Sequence, residues 1–374
     1  MRIVCIGGGP AGLYFALLMK KHEPSHEITV LERNAPGDTF GWGVVFSDKT
    51  LSYLRDTDEE TYAEITRSFA TWDNVDVVHR GGRVTIRGNK FSGIARIKLL
   101  NILQERCRAL GVDLRFGVNV EDAGEFDGYD LIVGADGVNS TVRERFREFF
   151  EPSLSARHNK YIWYGTRQLF HGLTLTFRER DGGVFAAHSY KFDARTSTFI
   201  VECDRETWER ASFASMTDEE TRAYLGEVFG ADLGGHQLLS NNSKWINFLL
   251  VKNRRWHHRN VVLLGDALHT AHFSIGSGTK LALEDAIALY RCFVEKAGVE
   301  EALREFERVR KPVIEEYQQA AYESLVWFEH ARDYMHLAPL PFAYSLMTRS
   351  KKIDYENLKR RDPAFIAAYE ATMK

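Results

Sequence analysis

Cysteine is scarce in this chain: Cys5, Cys107, Cys203 and Cys292 are the only ones, far apart and with no Cys-x-x-Cys pair. That spacing suggests neither a zinc site nor a disulfide framework, so no metal is expected, and a reducing, cytoplasmic setting fits best. Long hydrophobic runs are missing. None approaches the roughly 18 residues of a membrane span, and Arg2–Ile6 is too short and too soon interrupted by glycine for a signal peptide. A soluble protein with no membrane partner is expected. A surplus of one charge is absent as well, since 49 Lys+Arg against 52 Asp+Glu leave a formal net charge of −3. A general polyanion binder gains affinity by neutralising many phosphates, so nucleic acid is not an expected partner.

What is present is ordinary globular composition. The 374 residues are 44% hydrophobic and 27% charged. At roughly 150 residues per domain, this length suggests two domains or one domain with a large insertion.

Arg2-Ile-Val-Cys-Ile6 is a short run of strand formers that leads into Gly7-Gly-Gly-Pro-Ala-Gly12 and then the apolar Leu13-Tyr-Phe-Ala-Leu-Leu-Met19. This reads as strand, glycine turn and helix. Gly7 makes the tight turn, Gly9 lets the backbone approach a pyrophosphate, and Gly12 lets helix and strand pack closely. Pro10 and Ala11 open the helix, whose N-terminal amides face the phosphate charge. Ile28–Glu32 reads as the second strand. Its terminal acid, Glu32, lies 20 positions after Gly12, where a carboxylate can bind ribose hydroxyls, and Arg33 beside it is placed over the adenine edge or in solvent.

Two later segments decide which dinucleotide is bound. Asp130-Leu-Ile-Val-Gly-Ala-Asp-Gly-Val-Asn-Ser-Thr-Val-Arg143 is an apolar strand running into a turn and a helix start. Val261-Val-Leu-Leu-Gly-Asp266 is another buried strand, followed by a loop through Gly276 and Gly278 into the periodic helix beginning at Leu281. A nicotinamide dehydrogenase needs only the first motif. A second strand-to-helix cradle late in the chain suits a flavin, because a helix N-terminus near the reduced ring would stabilise its negative charge.

In order and spacing, Gly7–Gly12, Asp130–Arg143 and Gly265–Ala286 resemble the three fingerprints of the single-component FAD-dependent aromatic hydroxylases, the para-hydroxybenzoate hydroxylase-like family. The resemblance implies an α/β fold: a Rossmann-like FAD-binding domain carrying an inserted, mostly antiparallel substrate sheet and C-terminal helices. It also implies that Glu32 binds the adenosine ribose, Asp266 the ribityl chain, and Arg96 and Asp136 the FAD. Two places depart from the general pattern. His272 and Phe273 stand where most relatives have a proline pair, and Trp42 stands near a customary arginine. With Asn159–Thr166, Ser197–Cys203 and Arg349–Pro363, these features look like the branch that holds salicylyl-CoA and anthraniloyl-CoA hydroxylases and the violacein-pathway tryptophan hydroxylase. The C-terminal run resembles the thioester members more. The chain length points to a stand-alone hydroxylase without a fused reductase.

The middle of the chain is rich in aromatic strand formers. The expected division is an FAD-binding domain of residues 1–154 and 256–300, a substrate sheet of 155–255 and a helical region of 301–374. The resemblance implies that NADH or NADPH serves as a transient co-substrate, that O2 is consumed, and that the ring is hydroxylated through a C4a-hydroperoxyflavin. The expected substrate is an aromatic CoA thioester, salicylyl-CoA giving gentisyl-CoA. A free aromatic or indole substrate is the alternative, and outside enzymes a redox-inactive escort module of the same fold. His188, Tyr190 and His272 are the candidates for activating the ring, while His269 is assigned to structure. Arg254–Arg259, Arg349–Lys352 and Lys359–Arg361 are candidates to meet the phosphates of CoA.

Overall fold

A computed structural model describes residues 1–121, 123–276 and 278–373. Strand Arg2–Ile6 lies inside a six-stranded sheet of order His257–His258, Val261–Leu263, Leu131–Gly134, Arg2–Ile6, Glu27–Glu32, Asp113–Phe116. All neighbours are parallel except His257–His258. A parallel sheet covered on both faces needs apolar residues at every position, and Ile3, Val4, Cys5 and Ile6 are all buried. Register then places the motifs. Ile6 pairs with Gly134, and Gly134 with Leu263, so the three glycine-containing segments that follow leave the sheet side by side. This edge is also the switch point, because the chain adds Glu27–Glu32 on one side of Arg2–Ile6 and Leu131–Gly134 on the other.

An eight-stranded sheet runs Leu238–Leu239, Pro152–Thr166, Ser197–Cys203, Gly183–Lys191, Leu173–Arg180, Val75–His79, Gly82–Ile86, with Ile246–Asn253 also paired to Pro152–Thr166. The division expected from the sequence needs correction here. Val75–His79 and Gly82–Ile86 come from well before residue 155, since a parallel pairing of Leu173–Thr176 with Val75–Val78 draws them into the second sheet. A small sheet of Gly43–Ser47, Phe91–Ala95 and Ala70–Trp72 lies between the two. It is pinned at Gly43, whose N–H donates to Thr198 Oγ1 (2.9 Å) and whose carbonyl accepts from the Tyr190 hydroxyl (2.8 Å).

Side chains alternate across a strand, and in the eight-stranded sheet this sorts chemistry from packing. Register puts Tyr161 opposite Glu202, Trp163 opposite Ile200, and His188 opposite both Leu175 and Ile200, all on one face. The intervening Ile162, Tyr164, Phe185, Phe199 and Val201 join an apolar cluster with Phe213, Leu225 and Phe229. On the first face the C-terminal helices pack down: Trp327, Phe328, Phe342 and Leu346 cluster with Val77, Leu175 and Phe177. The segment after residue 300 therefore covers part of the sheet that carries His188.

The long helix Val299–Glu329 is anchored to the first sheet by Glu307. Its carboxylate accepts from the Trp256 N–H (3.0 Å), is 3.1 Å from His257 Nδ1, and is 3.1 Å from Lys311 Nζ. These partners outweigh burial and hold its pKa down at about 2. A depressed carboxylate stabilises the fold above its unfolded pKa of about 4.3 and loses that contribution as pH falls towards the folded value, here on the order of 3 kcal/mol. Urea melts of Glu307→Gln should show a deficit of up to about this size at pH 7 that shrinks steadily below pH 4. A deficit independent of pH would show that charge is not the cause.

Candidate active site

A cavity of about 610 Å³ runs from the switch point onto the face of the eight-stranded sheet. At its first end lie Gly9, Pro10, Ala11, Arg96, Gly265 and Asp266, together with Gly276 and Gly278 at the start of helix Gly278–Glu295. The turn glycines divide by role. Gly7 sits at φ +111°, and a Cβ there would lie 2.2 Å from the Ala135 carbonyl oxygen; a Cβ on Gly12 would lie 2.2 Å from the Gly7 oxygen. Both allow backbone contacts and neither lines the cavity. At Gly9, in contrast, a Cβ would meet nothing within 4 Å. Helix Pro10–His22, which Gly9 caps, has no side-chain cap, so its leading N–H groups are left for another partner.

Glu32 and Arg33 do not line the cavity. Glu32 stands beside the turn, its carboxylate accepting from the N–H of Gly8 (2.8 Å) and of Asn34 (2.9 Å), and Arg33 is exposed. Asp136 braces the start of helix Thr141–Arg145, which Ser140 caps, by accepting from the N–H of Thr141 (2.7 Å) and Val142 (3.3 Å). Its other oxygen, Oδ1, is buried without a partner among the described residues, and its neighbours Ala135 and Gly137 line the cavity. Arg96 opens helix Arg96–Leu110 with Nε buried and, among the described residues, unpartnered. Burial lowers its pKa, with the charge of Asp266 opposing, and burial raises that of Asp266, with Arg96 opposing. A cation with an unused N–H beside an uncapped helix N-terminus favours an anion. Together with the open backbone at Gly9, these groups fit the diphosphate and ring system of FAD.

The far end of the cavity is walled by Tyr161, Trp163, Leu173, Leu175 and Ile200, with His188 and Tyr190 among them. His188 Nε2 is 3.1 Å from Glu202 Oε2, and Glu202 Oε1 accepts from Asn159 Nδ2 (3.0 Å). Burial alone would raise the pKa of Glu202, yet His188, His272 and Asn159 together lower it, so the carboxylate is ionised at neutral pH. Tyr190 donates its hydroxyl hydrogen bond to Gly43 O, stacks on Trp72 (centroids 5.8 Å apart), and has its pKa raised by burial. It holds the small sheet in place and does not titrate near neutrality.

His272 is not in the large cavity. It lines an adjoining one of about 10 Å³ with Glu202, Asn159, Arg157 and Glu329, beyond Tyr161, Phe248 and Phe273, which line both. Of the three candidates for activating the ring, His272 is thus the one that does not line the large cavity. Burial holds its pKa down at about 4. His269 bonds Asp285 (2.8 Å), which also accepts from Arg310 Nε (2.8 Å), tying helix Gly278–Glu295 to Val299–Glu329.

Of the basic runs, only Arg349, Lys352 and Arg361 line the cavity. Arg254 and Arg255 pair with Glu151 instead, next to strand His257–His258 at the edge of the first sheet. Arg349, expected to meet phosphate, donates to Ser324 Oγ, Leu346 O and Ser274 O. Glu202 was not singled out from the sequence. The available signal was its parity with His188 across paired strands, which is readable only once register is known.

The profile of the FAD binding domain family matches residues 1–321. Salicyloyl-CoA 5-hydroxylase from a Streptomyces species is 43% identical over 98% of this chain and 72% of its own length. Protodeoxyviolaceinate monooxygenase from Chromobacterium violaceum is 38% identical over 94% of this chain and 95% of its own. Among solved structures, 2-methyl-3-hydroxypyridine-5-carboxylic acid oxygenase superposes with a TM-score of 0.73 at 19% identity, over 96% of this chain and 97% of that one. The chain belongs to the FAD binding domain family, among the FAD-dependent aromatic monooxygenases.

Proposed function

We propose that this protein hydroxylates the ring of an aromatic acyl-CoA thioester, with salicyloyl-CoA giving gentisyl-CoA as the leading case. One observation supports the thioester above all: the cavity does not end at the aromatic chamber but continues to a rim with Lys352 and Arg361, where a long, phosphate-bearing substrate could extend. The 43% identity to salicyloyl-CoA 5-hydroxylase agrees with it. The 38% identity to protodeoxyviolaceinate monooxygenase favours the second reading, a free indole-type substrate.

When bound and reduced by NADH or NADPH, FAD would supply the activated oxygen. The chain does the rest. Gly9 and the N-terminus of helix Pro10–His22 would receive the diphosphate, Glu32, beside the turn, the ribose, and Arg96, Asp136, Asp266, Gly276 and Gly278 the remainder of the cofactor. Leu173, Leu175, Ile200 and Trp163 exclude water from the chamber. His188 takes the proton of a ring hydroxyl at Nδ1, since its Nε2 is held by Glu202. Among the described residues no helix is long and apolar enough to cross a membrane, and the reaction is assigned to the cytoplasm.

Product analysis decides between the substrates. The purified protein should be yellow, and salicyloyl-CoA should stimulate NAD(P)H oxidation with formation of a hydroxylated thioester, whereas free salicylate and tryptophan should give little. Hydroxylation of a free aromatic or indole but of neither salicyloyl-CoA nor anthraniloyl-CoA would overturn the thioester assignment. A colourless protein that takes up no flavin would overturn the enzymatic one.

A further inference from the structure

Side chains from three separate segments form a single hydrogen-bonded chain that ends at His272. Arg349, which follows helix Pro339–Thr348, donates through Nε to Ser324 Oγ (2.8 Å) on the long helix. The Ser324 and Ser274 hydroxyls are 2.7 Å apart, and Ser274 Oγ is 2.8 Å from His272 Nδ1. A hydroxyl can donate or accept, so the middle of the chain does not set its own direction. The ends set it. A guanidinium only donates, so Ser324 Oγ accepts from Arg349 and keeps its own O–H free to donate towards Ser274. At the other end the Ser274 N–H also donates to His272 Nδ1 (3.4 Å), an atom that must therefore carry a lone pair. Donation runs from Arg349 through Ser324 and Ser274 to His272, leaving the ring proton on Nε2.

Arg349 suits the starting position. Its other nitrogens donate to Leu346 O and to Ser274 O (2.8 Å), so one planar fork ties the C-terminal helices to the loop that bears His272. A lysine could not hold three acceptors in that plane. Ser324, Ser274 and His272 are all buried. At its far end His272 shares the small cavity with Glu202, the partner of His188.

We propose that Arg349 is a positioning residue for the hydroxylation: through Ser324 and Ser274 it fixes the His272 proton on Nε2, where the ring is a donor towards Glu202 and keeps that carboxylate turned to His188. The proposal rests on the reading of His188 as the base. Among the described residues, the charged and titratable groups facing His272 are Glu202 and His188 from the sheet, Arg157 and Tyr161 from strand Pro152–Thr166, Arg349 from the C-terminal segment and Glu329 from the long helix.

The test reads the tautomer directly. ¹⁵N-histidine NMR of the FAD-loaded protein, with His272 assigned by its absence in His272→Gln, should show a bare Nδ1 and a protonated Nε2 from pH 6 to 8. Ser324→Ala and Arg349→Met should mix the tautomers. They should also lower kcat by about 10- to 100-fold through misplacement of the base, shift the pH profile of kcat, and leave the KM for substrate and the FAD content near wild type. His272→Gln, which keeps an N–H donor, should retain more turnover than His272→Ala; a base at this position would lose equally in both. A protonated Nδ1 in the wild type, or wild-type kcat in Ser324→Ala and Arg349→Met, overturns the proposal. A wild type that hydroxylates no aromatic compound would instead bring down the functional reading, and the tautomer measurement would still decide the chain.

Discussion

Gly7→Ala should fail to accumulate as a stable protein, while Gly9→Ala should fold normally and fail to hold FAD. The two residues are neighbours in one turn but answer to different constraints. At Gly7 the φ of +111° and the Ala135 carbonyl 2.2 Å from a new Cβ combine left-handed strain with overpacking, about 3 kcal/mol or more. The carbonyl belongs to the turn after strand Leu131–Gly134, so relief would require parting two central strands. Gly9 has an ordinary extended backbone, φ −77°, and open space around a Cβ, so its apoprotein should melt within about 0.5 kcal/mol of wild type. The methyl group would stand in the cavity, where the backbone is to receive the cofactor. FAD affinity should drop at least about tenfold, or 1.4 kcal/mol. Urea denaturation of the apoproteins and fluorescence titration with FAD measure both. Tight FAD binding by Gly9→Ala would remove that residue from the cradle.

His188→Ala should keep its flavin and lose turnover by about 10² to 10⁴, the range for a positioned base. The loss should depend on pH in a particular sense. A phenol that ionises unaided at high pH no longer needs the base, so kcat of the variant should climb towards wild type as pH rises through the substrate pKa. Glu202→Gln should fall between the two, because it keeps a hydrogen-bond partner for His188 but removes the charge that stabilises an imidazolium. Its effect should be lost below the pH at which Glu202 of the wild type is itself protonated, a point lowered by His188, His272 and Asn159. Product formation is the readout, since consumption of NAD(P)H continues in uncoupled variants. A loss that is the same at every pH would assign His188 to packing against Phe273 and Phe328.

Much of the first sheet was legible because its signals are local. A strand former run, a glycine turn and an apolar helix fit within Arg2–Met19, and each later motif repeats that pattern over a few residues. The second sheet was legible only in kind. Strands Val75–His79 and Gly82–Ile86 join it through a parallel pairing with residues about a hundred positions later, and no local pattern records such a partner. The same limit applied to the chemistry. Tyr190 and His188 were both visible as polar groups in a strand, but the hydroxyl of one is held by Gly43 and the ring of the other by Glu202. The basic runs misled for a related reason, because a charge run shows neither its depth nor its partners: Arg254 and Arg255 face Glu151, and Arg349 is turned inward.

By itself the sequence determined the class of the chain, an FAD-dependent aromatic monooxygenase, from a glycine turn suited to a dinucleotide and a second cradle suited to a flavin. Those conclusions need only backbone conformation and side-chain size over short stretches. Tertiary structure alone decided which polar groups meet. Strand register put Glu202 on the same face as His188, within reach of its ring, and the packing of the C-terminal helices brought Arg349 to Ser324. Both depend on contacts between residues far apart in the chain, whose placement is fixed by the burial of everything between them.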